Sequence, residues 1–121
     1  MRNLAYLMLF CAACGSETKT INITKTVGVD CSGLSRWVYQ QAYGRDIFGG
    51  VNTNGQIAKL KKVSTPQPGD LVYFGSSPSN THHVGIYIGY GRMINALRTG
   101  TSVKTDNVSI MSDLVGYYRY A

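Results

Sequence analysis

The chain has 121 residues, which is enough for one domain around one hydrophobic core and too few for two. Charged residues make up only 15% of it, so the composition excludes the highly charged, core-poor chains that stay disordered. The formal net charge of +6 favours an anionic partner, although the basic residues are scattered apart from Lys59, Lys61 and Lys62. Because no nucleic-acid-binding motif accompanies this charge, we expect no nucleic-acid partner.

The N-terminal part contains an apolar run over residues 4–13. About ten residues are too few to cross a bilayer as a helix, so no stable membrane span is expected. Two interpretations stay open: the run is the apolar part of a secretory signal ending near Cys14, or it is a buried first helix. The polar stretch that follows is typical of a loop with a short strand at 21–23.

The cysteine and histidine spacings argue against a metal site. Cys11 and Cys14 form a Cys-x-x-Cys pair, and Cys31 stays unpaired if those two bond. The only histidines, His82 and His83, are adjacent, which is poor spacing for two zinc ligands. We therefore predict no metal and no cofactor.

A helix is predicted to begin after Asp30, whose side chain suits an N-cap, and to end at Gly44. Cys31 falls in its first turn. The buried face of this helix is marked by apolar residues at helical spacing: Leu34, Trp37, Val38 and Ala42.

A run of strands is predicted after this helix. The strands cover residues 70–74, 83–89, 93–96, 102–104 and 116–120. Residues 89–92 have the glycines of a hairpin turn, residues 75–81 have the composition of a flexible surface loop, and residues 56–60 fit a short helix. A helix followed by antiparallel strands is the α+β pattern, so we expect an α+β fold.

Cys31 has the surroundings of a catalytic nucleophile. At a helix N-terminus the free backbone N–H groups and the positive end of the dipole favour a thiolate, and the same groups can hold an oxyanion. A buried structural cysteine is the alternative. The small polar neighbours Asp30 and Ser32 suit a cleft better than a packed core.

His83 begins a predicted strand in which Val84 and Ile86 face one way and His83 the other. Gly85 shares the face of His83 and has no side chain, which would let the helix that carries Cys31 pack closely there. The alternative is a surface histidine at a strand end. His82 is the weaker candidate for a base because it falls outside the alternation.

Asn95 lies on the next predicted strand, so a tight hairpin would bring it close to His83. Its amide oxygen could accept a hydrogen bond from one imidazole nitrogen and fix the tautomer. Cys31, His83 and Asn95 then form the Cys-His-Asn arrangement of papain-like proteases, in the same chain order. We predict these three as the catalytic residues.

Several ordered segments resemble the NlpC-type cell-wall endopeptidases. They are Asp-Cys-Ser-Gly-Leu at 30–34, Gln-Pro-Gly-Asp-Leu-Val-Tyr-Phe at 67–74, His-Val-Gly-Ile-Tyr-Ile-Gly at 83–89 and Met-Ile-Asn-Ala at 93–96. The resemblance implies a papain-like fold in which the nucleophile-bearing helix packs on a small antiparallel sheet. It implies an NlpC-type catalytic domain over residues 27–121, preceded by a divergent N-terminal segment over 1–26.

The resemblance also implies hydrolysis of peptidoglycan stem peptides, usually between γ-D-glutamate and the following diamino acid. Such a protein, bacterial or phage-derived, would be secreted or act in the cell envelope. Asp30 and Ser32 match positions that help to hold the free amine of the stem peptide. Two departures stand out: the third catalytic position is more often His than Asn, and residues 17–29 contain no aromatic residue where the family commonly has a tyrosine.

Two other functions fit the same pattern. The altered upstream segment favours a muropeptide-binding module on the same fold, without turnover. A Cys-His pair also serves other amidases and acyltransferases. The intact set of Cys31, His83 and Asn95 favours the peptidase over the binding module, because a pure binder does not need all three.

Overall fold

The computed structural model of the protein describes residues 30–96 and 103–120 with their side chains, and the backbone of residues 5–11 and 17–23. The two N-terminal stretches are strands β1 (Ala5–Cys11) and β2 (Glu17–Ile23), which pair antiparallel. The short strand predicted at 21–23 is the end of β2.

The expectation of a buried first helix is wrong for residues 5–11, which form β1. A short apolar run fits a strand or a helix by pattern alone. Its pairing with β2, a segment rich in Thr and Ile, decides for the strand. The secretory-signal interpretation stays a prediction.

Helix α1 (Cys31–Tyr43) has the predicted ends. The Asp30 carboxylate accepts the Gly33 N–H at 2.7 Å, which caps the first turn. Gly44 stops the helix with φ 72°, a left-handed conformation that glycine adopts without steric cost, and its N–H donates to the Gln40 carbonyl. The predicted face is buried at Leu34, Val38 and Ala42 and only partly buried at Trp37.

A second helix, α2 (Thr53–Ile57), begins earlier than the predicted one at 56–60. Asn52 sets its start, because its side chain accepts the Gly55 N–H at 3.0 Å. Strand β3 (Lys61–Val63), which the sequence pattern did not predict, follows α2. Within the part of the chain that the structure describes, no helix has the length and apolar character needed to span a membrane.

Strands β3 to β8 form one sheet in the order β3-β8-β4-β5-β6-β7, with antiparallel neighbours throughout. The remaining strands are β4 (Leu71–Ser77), β5 (Asn80–Gly89), β6 (Arg92–Asn95), β7 (Lys104–Asn107) and β8 (Leu114–Arg119). The predicted α+β fold is confirmed. Strand β7 begins at the last residue of the predicted strand at 102–104 and continues beyond it.

The flexible loop predicted at 75–81 is wrong, because β4 and β5 continue through it as a hairpin with Pro78 and Ser79 in the turn. Its Ser, Asn and Gly composition resembles a loop, but cross-strand pairing keeps the backbone extended. Gly75 allows this, since a Cβ there would collide with the backbone of Asn80. The predicted turn at 89–92 is confirmed, with Tyr90 and Gly91 at its tip.

The sheet buries apolar side chains on both of its faces. The face that α1 covers, the helix face, holds Leu34 and Val38 against Val84, Ile86 and Ile94. The opposite or second face holds a smaller cluster of Val72, Phe74, Met93 and Val108. The predicted alternation of β5 is confirmed, because Val84 and Ile86 join the helix face whereas His83 packs on Phe74 of the second face.

A buried ion pair ties the last strand to the start of β4. The Asp70 carboxylate is 3% exposed and accepts from Nε and Nη2 of Arg119, each at 2.8 Å. It also accepts the Gln67 backbone N–H at 2.7 Å. All of these donors serve one carboxylate, so removal of the guanidinium would leave a buried charge only partly paired.

Replacing Arg119 by Met should lower the free energy of unfolding by about 2–3 kcal/mol, as expected for breaking a buried ion pair with one partly exposed partner. Urea unfolding measures the change. Arg36→Met is the matched control, since it breaks an exposed pair with Asp46 and should have a much smaller effect. Equal losses in the two variants would contradict a special contribution from the buried pair.

Candidate active site

Cys31 lies in the first turn of α1 and is partly buried against the helix-face core. Burial raises the pKa of its thiol above the ordinary 9.0; the Val84 N–H opposes the rise and the Asp30 charge adds to it. The N–H groups of Ser32 and of Cys31 itself lower this pKa by a smaller amount. The helix N-terminal N–H groups thus favour the thiolate, as expected, but the effect of burial on the pKa is larger.

His83 and Asn95 form a buried pair on the second face. The His83 Nε2 lies 2.8 Å from the Asn95 Oδ1. An amide oxygen only accepts, so Nε2 carries the proton and Nδ1 keeps the lone pair. Burial lowers the pKa of His83 and the bond to Asn95 partly opposes this, which leaves the ring neutral at pH 7. The predicted proximity of the two residues is confirmed, and their catalytic roles stay predictions.

The Cys31 thiol meets β5 at the residue that follows His83. The Val84 N–H acts on the Cys31 thiol, and this N–H belongs to the peptide bond that follows His83. Gly85 does not make room for α1 as expected, because α1 packs on the other face of β5. Met93 instead fills the space over Gly85, since its Sδ would lie 2.5 Å from a Cβ at position 85.

Gln56 on α2 links the first turn of α1 to the sheet. It is fully buried, and its Oε1 accepts from the Ser35 hydroxyl at 2.8 Å and the Tyr73 hydroxyl at 3.0 Å. Its Nε2 donates to the Ser32 carbonyl at 2.9 Å. Since Ser32 follows Cys31, these bonds hold the turn that carries the thiol. Gln56 was not predicted from the sequence, because a glutamine in a short polar helix has no distinguishing pattern.

Tyr73 on β4 is buried and donates its hydroxyl to the Gln56 Oε1. Burial raises the pKa of Tyr73, and the nearby Cys31 charge raises it further, so the phenol stays a neutral donor. Residues 17–29, where the family commonly has a tyrosine and this chain has no aromatic residue, have no described side chains. The effect of this difference on the site therefore stays a prediction.

An open pocket of about 210 Å³ lies beside the first turn of α1. Its lining residues are Asp30, Ser32, Gly33, Arg36, Gly49, Gly50 and Val51. The Asp30 Oδ1 accepts the Gly33 N–H at 2.7 Å and the Ser32 hydroxyl at 3.4 Å. Among the described side chains nothing bonds its Oδ2, so this oxygen can accept from a cation. The two predicted substrate-binding residues thus line one pocket, although Cys31 itself is not among its lining residues.

The second charged group of this pocket is already paired. Arg36 donates to Asp46 from Nη2 at 2.6 Å and from Nε at 3.1 Å. This bond lowers the pKa of Asp46 and raises that of Arg36. The pairing cancels most of the guanidinium charge, so the Asp30 carboxylate dominates the electrostatics of the pocket.

His82 is not part of this arrangement. Its Nε2 lies 2.6 Å from the Asp113 Oδ2 at an exposed site. Across residues 30–96 and 103–120, no group of three His, Cys, Asp or Glu side chains is arranged to hold a metal ion. The side chains of Cys11 and Cys14 lie outside the described residues, and their pairing stays a prediction.

A cysteine at the start of a helix, packed on an antiparallel sheet that carries a histidine and its amide partner, is the architecture of papain-like cysteine peptidases. The sequence profile of the NlpC/P60 family matches residues 14–115, and the chain belongs to this family. The resemblance drawn from the sequence motifs is confirmed. This match begins before residue 27 and does not test the domain boundary predicted there, which stays a prediction.

Known relatives agree with this assignment. The chain is 44% identical over 80 residues to the gamma-DL-glutamyl hydrolase of Bacillus subtilis (strain 168), a match over 63% of this chain and 19% of that protein. The NlpC/p60 domain of the peptidoglycan hydrolase SagA is 39% identical with a TM-score of 0.60, over 75% of each chain.

One similar structure comes from a protein without catalysis. RipD of Mycobacterium tuberculosis, a non-catalytic NlpC/p60 domain protein adapted to peptidoglycan binding, is 28% identical with a TM-score of 0.60, over 76% of this chain and 66% of that chain. The chain spans only 14% to 25% of the length of the curated relatives that it matches. Family membership therefore fixes the fold, and activity has to be argued from the site.

Replacing Gln56 by Leu should destabilise the protein by about 1–3 kcal/mol, because the buried Tyr73 hydroxyl loses its acceptor and the Ser35 hydroxyl and Ser32 carbonyl keep only their bond to each other. It should also make the Cys31 thiol more reactive toward iodoacetamide, since the turn that carries it loosens. Gln67→Leu is the matched control, because Gln67 is exposed and bonds through its backbone. Unchanged thiol reactivity in the Gln56→Leu protein would show that the network does not hold the turn.

Proposed function

We propose that the chain is a cysteine endopeptidase that hydrolyses peptidoglycan stem peptides at the γ-D-glutamyl–diamino acid bond. The observation that carries the proposal is the 2.8 Å bond between the His83 Nε2 and the Asn95 Oδ1, beside the peptide group that faces Cys31. In this proposal Cys31 is the nucleophile, His83 is the general base and Asn95 orients the imidazole. Family membership supports hydrolysis, and the gamma-DL-glutamyl hydrolase relative supports the γ-glutamyl bond.

The resting pair in this mechanism is neutral. A thiol with a raised pKa and an imidazole with a lowered pKa both stay uncharged near pH 7. The proton therefore moves from the Cys31 sulfur to the His83 Nδ1 as the sulfur attacks the carbonyl carbon. Bond formation and proton transfer occur together, so a stored thiolate is not needed.

The first turn of α1 supplies donors for the oxyanion. The N–H groups that lower the pKa of the Cys31 thiol, those of Ser32 and Cys31, would also stabilise the negative charge that develops next to the sulfur. When the tetrahedral intermediate collapses, the imidazolium of His83 gives its proton to the leaving amine and a thioester remains on Cys31. Water, deprotonated by His83, then hydrolyses the thioester.

Asp30 and Ser32 bind the amine end of the stem peptide in this proposal. The Asp30 Oδ2 has no bond to a described residue, and the one guanidinium among the described lining residues is paired with Asp46. A carboxylate of this kind favours an ammonium group close to the scissile bond. An anionic cell wall also suits the net charge of +6, so the cell envelope is the proposed site of action.

A muropeptide-binding module is the second candidate function. RipD has the same fold without catalysis, and burial of Cys31 raises the pKa of its thiol, which slows a nucleophile. Both functions predict binding to purified muropeptides, but only the peptidase produces a new amine. Mass spectrometry of the products also separates the γ-glutamyl cleavage from an amidase or acyltransferase reaction.

Replacing Cys31 by Ala should abolish muropeptide cleavage, by about 10³-fold or more, while the fold is kept. Release of new amines measures activity, and far-UV circular dichroism checks the fold. Cys14→Ala is the matched control and should keep its activity. Cleavage by the Cys31→Ala protein at the wild-type rate would exclude this mechanism, and binding without product in the wild-type protein would favour the binding module.

The pH dependence follows from the two shifted groups. Because the pKa of His83 is lowered, the basic form of the imidazole persists below pH 6.5, and the acidic limb of kcat/KM should have its midpoint below that value. Because the pKa of Cys31 is raised, alkylation by iodoacetamide without substrate should rise only near pH 9 and above, measured in a Cys11→Ser, Cys14→Ser background. A plateau of fast alkylation in the acidic range would indicate a preformed ion pair and contradict the neutral resting state.

A further inference from the structure

Asp106 lies behind Asn95, on the side away from His83. The Asn95 Nδ2 donates to the Asp106 Oδ2 at 3.0 Å and to the Lys104 backbone carbonyl at 3.3 Å. The Asn95 Oδ1 faces the His83 Nε2 at 2.8 Å. The Asn95 side chain is fully buried, so both of its ends depend on these protein partners.

An asparagine amide can rotate by half a turn, which exchanges its oxygen and its NH2 group at almost equal volume. A carboxylate accepts only, so Asp106 can pair with the NH2 end and not with the oxygen. In the rotated arrangement the Asn95 oxygen would face the carboxylate, and the NH2 group would face the His83 Nε2–H. Both contacts would be repulsive, and burial would make them costly.

The strand register places Asp106 where it can act in this way. Strand β6 pairs with β7 so that Asn95 lies opposite Lys104, and Met93 lies opposite Asp106. Asp106 is therefore a diagonal neighbour of Asn95 on the same face of the sheet. The Lys104 Nζ lies 3.8 Å from the Asp106 Oδ1 and balances part of the charge of this largely buried carboxylate.

We propose that Asp106 is a positioning residue: its carboxylate fixes the Asn95 amide, which in turn keeps His83 in the Nε2–H tautomer with the lone pair on Nδ1. The consequence for catalysis rests on the proposed function, whereas the tautomer is a property of the folded protein. The negative charge of Asp106 also raises the pKa of His83, against the effect of burial. One residue thus acts on the base by orientation and by charge.

Two-bond proton–nitrogen NMR of the imidazole in the wild-type protein is the first test, since it reports which ring nitrogen carries the proton. We expect Nε2–H. A wild-type His83 protonated at Nδ1 would overturn the proposal without any variant. This measurement needs no substrate, so it stands whether or not the protein cleaves muropeptides.

Asp106→Asn is the second test, because an amide at 106 can face Asn95 with either its oxygen or its NH2 group. The Nε2–H population should fall, and kcat should drop by about tenfold with KM unchanged, a modest loss because the Lys104 carbonyl still accepts from Asn95. The acidic limb of the pH profile should move to lower pH, since loss of the negative charge lowers the pKa of His83. Wild-type tautomer and kcat in this variant would overturn the proposal.

Asp113→Asn is the matched control. Asp113 also raises the pKa of His83 by its charge, but it bonds His82 and does not touch Asn95. It should shift the His83 titration in the same direction while the tautomer and the maximal kcat stay as in the wild type. An equal loss of the Nε2–H form in both variants would assign the effect to charge and overturn the positioning role. Absence of muropeptide cleavage in the wild-type protein, with the tautomer changes as expected, would reject the proposed function and leave the role of Asp106 standing.

Discussion

The arrangement of the site depends on how the buried amide of Gln56 joins two helices and a strand. It accepts from Ser35 on α1 and Tyr73 on β4, and it donates to the carbonyl of Ser32. An amide is well suited to this position, because it has donor and acceptor ends and carries no charge that burial would penalise. These directional bonds hold the first turn of α1 against the sheet. They restrict the position of the Cys31 sulfur more than apolar packing alone would.

On the other side of β5, a line of polar groups runs from Asp106 through Asn95 to His83. The Asp106 carboxylate can only accept, so it fixes the NH2 end of Asn95 toward itself. The Asn95 oxygen then faces His83 and fixes the proton on Nε2. The same burial that makes this order strict lowers the pKa of His83 and raises that of Cys31. In the proposed mechanism this site rests uncharged and develops its charges only during the reaction, where the N–H groups of the first turn of α1 would compensate them.

Members of this family with and without catalysis share one architecture, as the similarity to both the SagA domain and RipD shows. Catalysis must therefore be decided by a few polar side chains and their orientation rather than by the sheet. In the pocket beside the first turn of α1, Asp46 pairs with Arg36, which leaves the Asp30 carboxylate as the one unpaired charge among the described lining residues. In the proposed function this carboxylate would favour a substrate with an ammonium group.

The sequence by itself determined the local features, because each is written in neighbouring residues: the Asp30 and Gly44 ends of α1, the alternation of β5 and the turn at 89–92. It also placed Asn95 beside His83, since a short hairpin fixes which residues of adjacent strands meet, whereas the catalytic trio with Cys31 stays a prediction. The sequence did not determine that residues 5–11 and 75–81 are mostly extended. Strand pairing decides this, and the composition of these segments does not show whether or with what they pair.

Only the tertiary structure decided which polar groups support the site. Gln56 and Asp106 are ordinary residues in the sequence, and they become important because folding buries them beside a carbonyl and an amide from other elements. The charge state of Cys31 was likewise set by burial, which depends on the packing of the whole chain and outweighs the local effect of the helix N-terminus. Local signals follow from neighbours along the chain, whereas burial and hydrogen-bond partners follow from neighbours in space.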